Sequence, residues 1–127
     1  MSSSPDQRLF ALRGATSVAA NTQTAILDAT ELLMRELIER NALEPDRIVS
    51  CIFTVTAELD AAFPAVAARR VGLDRVPLLC AREIDVPGSL PQVIRVLMHC
   101  YGPSDHAARH VYLGEARALR ADLDAAQ

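Results

Sequence analysis

The chain has no lysine and no tryptophan, and all thirteen of its basic residues are arginine. Without lysine there is no side-chain amine for a Schiff base and no anchor for a pyridoxal cofactor, so that branch of covalent catalysis is excluded. Cysteine is scarce. Cys51, Cys80 and Cys100 are odd in number, far apart and free of any C-x-x-C spacing, so neither a disulfide framework nor a zinc site is expected. Free thiols suit a reducing cytoplasm. No apolar window approaches the length of a membrane span, and the leading MSSSPDQ is polar, so a cytoplasmic protein without a membrane anchor is expected. The net charge of −3 and pI near 5.5 supply no basic field for nucleic acid or an anionic membrane, which leaves a small molecule or another protein as partner. The usual catalytic signatures are missing too: no G-x-S-x-G, no Walker loop, no G-x-G-x-x-G and no H-E-x-x-H. His99, His106 and His110 have no metal-ligand spacing and read as surface or hydrogen-bonded histidines; no metal and no cofactor is expected.

What is present is a foldable core. Half of the 127 residues are hydrophobic, enough for one domain over 1–127 that needs no cross-links. Residues 1–7 and 122–127 read as flexible ends. Leu9 to Leu12 predicts a first strand. From Thr22 to about Ala42 the period is helical, with Ile26, Ala29, Leu33 and Leu37 on one stripe, Asn21 as N-cap, and Glu31, Arg35, Glu36, Glu39 and Arg40 spaced for ion pairs. Arg47 to Thr56 is rich in β-branched residues and reads as a central strand. Phe63-Pro64 opens a short helix that Gly72 closes. Val76 to Arg82, Val93 to Cys100 and His110 to Leu113 read as three further strands.

The expected class is α+β: one mixed sheet of about five strands with two helices packed on one face. That arrangement leaves the second face of the sheet apolar and uncovered. A chain this small then buries it against copies of itself, which predicts an oligomer with clefts between subunits.

Arginine recurs beside apolar strand residues, at Arg13 in ALRGAT, at Arg95 in VIRV and at Arg120 after the last strand. Each is open to two readings, a solvated strand position or an anion-binding group. Arg95 lies between β-branched residues, so a strand places it on the face opposite Ile94 and Val96. Glu83 reads equally as a surface carboxylate, and Tyr112 as core. On the residues alone the chain is an arginine-containing site for a small carboxylated ligand.

Seven segments together carry a resemblance: RGAT (13–16), the helix ending before EPDR, FPA (63–65) with Arg69, PLLCAREIDV (77–86), IRV (94–96), RHVYL (109–113) and LRADL (119–123). In that order and nearly that spacing they resemble the AroH class of monofunctional chorismate mutases. The resemblance implies an isomerase converting chorismate to prephenate, on the route to phenylalanine and tyrosine. It also implies a homotrimer with a barrel-like core and active sites at subunit interfaces. By matching position, Arg13 and Tyr112 bind a substrate carboxylate, Arg95 faces the ether oxygen and a carboxylate, and Glu83 with Cys80 lies by the ring and its hydroxyl. Leu79, Cys80, Ala81, Arg82 and Glu83 line the pocket. Phe63, Ala65 and Arg69 close it from a neighbouring chain, and Arg120 belongs to a mobile tail at the entrance.

Two positions depart from relatives in the class, Val66 where some carry lysine and Leu79 where others carry threonine, and both are expected to alter affinity more than reaction type. The implied reaction also accounts for what is missing, because a pericyclic rearrangement needs no nucleophile, base or metal. It needs a held conformer and a fixed cation at the breaking bond. Arginine supplies both, and Arg13, read as standing at a strand end where Gly14 leaves room for close approach, is expected to grip a carboxylate. An imine deaminase of the RidA type and a non-catalytic trimeric metabolite-binding module are the alternatives, and loss of chorismate in a spectrophotometric assay separates all three.

Overall fold

A computed structural model describes residues 6–119. One five-stranded mixed sheet forms from β1 (Gln7–Ser17), β2 (Ile48–Val55), β3 (Leu78–Arg82), β4 (Val93–Pro103) and β5 (Val111–Leu113), in the order β3-β2-β4-β1-β5. The pairs β1–β4 and β2–β4 are antiparallel, whereas β2–β3 and β1–β5 are parallel. Helices α1 (Gln23–Arg40) and α2 (Ala65–Arg70) lie on one side, where Leu33, Leu37, Ala65 and Ala68 join Phe10, Leu12, Phe53 and Val96 in one core. Fully burying a leucine or phenylalanine of this kind stabilises the fold by about 1.5–3 kcal/mol.

The N-cap of helix α1 is one residue later than expected, at Thr22. The Thr22 side chain accepts the Ala25 N–H at 3.1 Å. Asn21 is occupied elsewhere: its Oδ1 accepts the N–H groups of Asp60 and Ala61 at 3.0 Å, so it ties the helix entry to the segment before α2. The expected pairs Glu31–Arg35 and Glu36–Arg40 form on the exposed face. Gly72 ends α2 in a left-handed conformation, φ 99°, as its position implied.

Strand β1 is longer than the four residues expected, and it corrects two readings. Gln7 is not part of a flexible leader, because it opens β1 opposite Pro103. Gly14 does not stop the strand. Even-numbered residues of β1 face the helices, and a Cβ built on Gly14 would lie 2.8 Å from Leu37 Cδ1 and 3.0 Å from Val96 Cγ1. The glycine is there so that α1 can approach β1 closely, and Arg13 stands mid-strand with β4 beside it at Leu97.

Among the described residues neither α1 nor α2 covers the opposite face; a single helical turn, Gly114–Ala116, packs over its Ala15–Val93 end and the rest is open. On β1 and β4 this face is built from odd-numbered residues, and the register stacks Leu9 beside Tyr101, Arg13 beside Leu97 and Ala15 beside Arg95. Strand β2 extends the rows with Ile52 beside Leu97 and Thr54 beside Arg95, and β3 adds Leu79 beside Ile52. Leu9, Leu79 and Tyr101 are 50%, 60% and 47% exposed on this surface, a concentration of apolar area beyond scattered surface residues. Among the described residues no helix is long and apolar enough to cross a membrane.

Candidate active site

A cavity of about 390 Å³ opens on the uncovered face where β4 lies between β1 and β2. Its polar walls are Arg13, Thr54, Glu83, Arg95 and Tyr112; Ile52, Val96 and Leu97 supply apolar lining. The register explains the convergence, because Ala15 of β1 has Arg95 on one side and Tyr112 on the other. Arg13 stands two residues before Ala15 on the same face. Four side chains separated by up to 99 positions in sequence thus surround one space.

Glu83 lies just past the end of β3, where its N–H donates to the Val55 carbonyl at 2.9 Å and continues the ladder. The Thr54 hydroxyl donates to Glu83 Oε1 at 3.2 Å, and Arg95 Nε contacts the same oxygen at 2.5 Å. That contact is an ion pair by distance but lacks hydrogen-bond alignment, and Arg95 Nε is buried without an aligned acceptor. Geometry carries more weight than proximity here: the guanidinium is drawn to Glu83 without being fully satisfied by it. Two arginines against one glutamate leave one positive charge in excess, which favours an anion. A cavity of this size, with few convergent polar groups over apolar lining, suits a small ligand.

The other expected site residues are distributed as follows. Cys80 packs with Leu78 against the helix-side core, because residues 80 and 83 fall on opposite faces of an extended chain. Leu79 is on the uncovered face, whereas Ala81 and Arg82 are exposed and do not line the cavity. Phe63 is 70% exposed and borders a separate hollow with Val66; Ala65 is buried in the core, and Arg69 lies exposed in the last turn of α2. Arg120 falls outside the described residues. Tyr112 has both of its expected characters, packing against Ala15, Val93 and Ala116 while bordering the cavity.

Thr54 and Ile52 were missed. Their alternation along β2 was visible, but only the β2–β4 register, interrupted by an irregularity between Ile48 and Ser50, aims them at Arg95 and Leu97. The three histidines are hydrogen-bonded: His99 to Ser50, His106 to Asn41 and His110 to the Arg13 backbone. Among the described residues no three histidine, cysteine or acidic side chains gather as a metal site.

Comparison with known proteins bears on this geometry. The family profile of chorismate mutase type I matches residues 9–123. A chorismate mutase AroH of Thermus thermophilus is 50% identical over 119 residues, covering 91% of this chain and 97% of its own. The chorismate mutase AroH of Bacillus subtilis (strain 168) is 41% identical over 115 residues, covering 88% of this chain and 90% of its own. Among solved structures, a chorismate mutase from Clostridium thermocellum superposes with a TM-score of 0.79 at 48% identity, covering 86% of this chain and 98% of that one.

Proposed function

The chain belongs to the chorismate mutase type I family and is a chorismate mutase, and we propose that it works by holding the reactive conformer of chorismate against fixed arginines. The reaction is an isomerisation in aromatic amino acid biosynthesis. A C–O bond breaks while a C–C bond forms within the same molecule, so atoms balance without a co-reactant and no proton need move. As the C–O bond lengthens, negative charge gathers on the ether oxygen and positive charge on the ring.

The observation that carries this mechanism is the convergence of Arg13, Arg95, Glu83 and Tyr112 on one cavity of about 390 Å³. Arg95 stabilises the developing negative charge on the ether oxygen, since its Nε lacks an aligned acceptor and its charge is fixed. Arg13 and Tyr112 hold a carboxylate at the β1–β5 side. Glu83, steadied by Thr54, faces the ring and its hydroxyl, so the dianion meets cations at its ends and a carboxylate near its cationic ring. Leu79, Cys80, Ala81 and Arg82 lead along β3 to Glu83 and border the site without lining the cavity of a single chain.

We further propose that three copies pack through the uncovered face into a barrel-like core. The exposed apolar surface at Leu9, Leu79 and Tyr101 supports this, as does the open mouth of a cavity that one chain leaves incomplete. In that assembly Phe63, Ala65 and Arg69 of a neighbouring copy close the site, and Arg120 lies at its entrance. The working compartment is the cytoplasm, in keeping with cysteines that are all free. The test is to follow chorismate absorbance with purified protein while identifying the product. Catalysed loss with prephenate as product is expected; tight binding of chorismate without turnover would leave only a binding module.

A further inference from the structure

We propose that His110 is a positioning residue for the reaction: through its ring it locks the backbone of Arg13 to the start of β5, and so sets the spacing between Arg13 and Tyr112. The inference rests on the carboxylate-binding role assigned above to those two residues. Strand β5 has only three residues, and its parallel ladder with β1 begins at Gly14 opposite Val111. One residue earlier, the Arg13 N–H donates to His110 Nδ1 at 3.0 Å. A backbone N–H can only donate, so Nδ1 is the unprotonated ring nitrogen, and the side chain extends a ladder that the strand itself is too short to provide.

The residue before it is clamped as well. Asn41, buried at the end of α1, accepts the Arg109 N–H through Oδ1 and donates to the Arg109 carbonyl through Nδ2, both at 2.9 Å. Its Nδ2 also donates to the Leu37 carbonyl at 2.9 Å, so the clamp is fixed to the helix. Residue 109 is thereby tied to α1, residue 110 to β1, and Tyr112 follows two residues on with little freedom to slip. A short parallel pairing is weakly specified by itself, and these side-chain bonds fix its register. The direction of the effect follows. A carboxylate gripped by Arg13 and Tyr112 is held in ground and transition state alike, so loosening their spacing weakens binding more than the chemical step.

The experiment compares steady-state kinetics on chorismate for the wild type, His110→Ala, His110→Asn and His110→Gln, with thermal midpoints alongside. In Asn, Oδ1 occupies the place of Nδ1; in Gln, the amide reaches the place of Nε2. Loss of one exposed hydrogen bond in His110→Ala is expected to raise KM roughly three- to tenfold with kcat within about twofold. Asn restores KM and Gln does not. An unchanged KM in His110→Ala, a fall in kcat alone, or equal behaviour of Asn and Gln overturns the assignment. Amide exchange at Arg13, faster in His110→Ala and slowed again in His110→Asn, reads the lock without turnover. If the wild type is inert on chorismate the reaction has been misread, and the exchange data still decide whether the lock exists; unchanged exchange in His110→Ala refutes it.

Discussion

Replacing Arg95 with alanine separates the catalytic reading of this arginine from a structural one. The residue lies inside β4, with its backbone paired to Ala15 on one side and Thr54 on the other, so truncating the side chain leaves the ladder intact. What is lost is the ion pair to Glu83, whose two side chains are 40% and 18% exposed. At that exposure solvent screening limits the pair to about 0–1 kcal/mol of stability. Glu83 keeps the Thr54 hydroxyl as a partner. The thermal midpoint is therefore expected to move little.

The rate is expected to respond differently. Removing one preorganised donor to a developing oxyanion costs about 10²–10³ in kcat, or roughly 3–4 kcal/mol. A full charge in a partly desolvated cavity acts more strongly than a neutral dipole, so Arg95→Ala belongs at or beyond the upper end of that range. Arg95→Lys recovers part of the loss, because an ammonium restores charge without the planar fork that can reach ether oxygen and carboxylate together. The assay is initial-rate loss of chorismate with purified variants, read beside circular-dichroism melting curves. Near-normal turnover in Arg95→Ala would refute the electrostatic mechanism and leave Arg95 a solvated strand residue. A collapse of the melting midpoint to match the rate would refute the separation of roles argued here.

Gly14→Ala reverses that pattern: a Cβ 2.8 Å from Leu37 Cδ1, 3.0 Å from Val96 Cγ1 and 3.1 Å from Leu33 Cδ1 crowds three buried side chains that must repack, and such overpacking costs about 1–3 kcal/mol of stability, so an unchanged melting midpoint would contradict the packing account. Analytical ultracentrifugation is expected to find three-copy particles, and dilution to single chains to abolish turnover; a fully active monomer would rule out a shared site. Burial pushes the Cys51 thiol up to about 12 and the Cys100 thiol up to about 11, from an ordinary value of 9.0. The unfolded chain therefore loses these protons first, and the stability the two thiols contribute is complete below about pH 9 and declines above it. Urea midpoints should accordingly fall less steeply with alkaline pH in Cys51→Ala than in the wild type, and parallel slopes would refute the assignment.

How far the sequence revealed this site depended on which signal each part needed. Helix α1 was legible because its apolar period is strong over five turns. Strand β2 was legible because β-branched residues are dense in it. The side of Arg95 followed from its neighbours, since Ile94 and Val96 are both buried and alternation leaves only the other face. Gly14 was misread because a glycine after an arginine looks like a strand end, and nothing local reveals that a helix passes close above it. The N-cap was misplaced for a similar reason: Asn21 is the stronger cap in isolation and Thr22 an adequate one, and the distant Asp60–Ala61 segment engages Asn21 and leaves the cap to Thr22. Grouping Arg13, Arg95 and Tyr112 was beyond any local pattern. It came from resemblance, and the register of three strands at Ala15 gives it a physical cause.

The parity of the sheet then links assembly to chemistry. The alternation that buries Leu12, Gly14, Val96 and Met98 under the helices places Arg13, Arg95 and Leu97 on the other side, with Ala15 beside them under the Gly114–Ala116 turn. Charged and apolar residues share that side but occupy different rows: Leu9 and Tyr101 lie toward one end of the β1–β4 pair, and Ala15 with Arg95 toward the other. In the proposed trimer, a copy that covers the apolar rows also comes close to the polar ones, because both lie on the same strands. Water is then displaced from around Arg95 by the same contact that buries Leu79 and Leu97, and each displaced water raises the effect of the guanidinium on a charge forming beside it. In the proposed trimer, subunit association and electrostatic catalysis are therefore consequences of one sheet face, and a substitution that weakens the apolar rows is expected to weaken catalysis even where it touches no substrate.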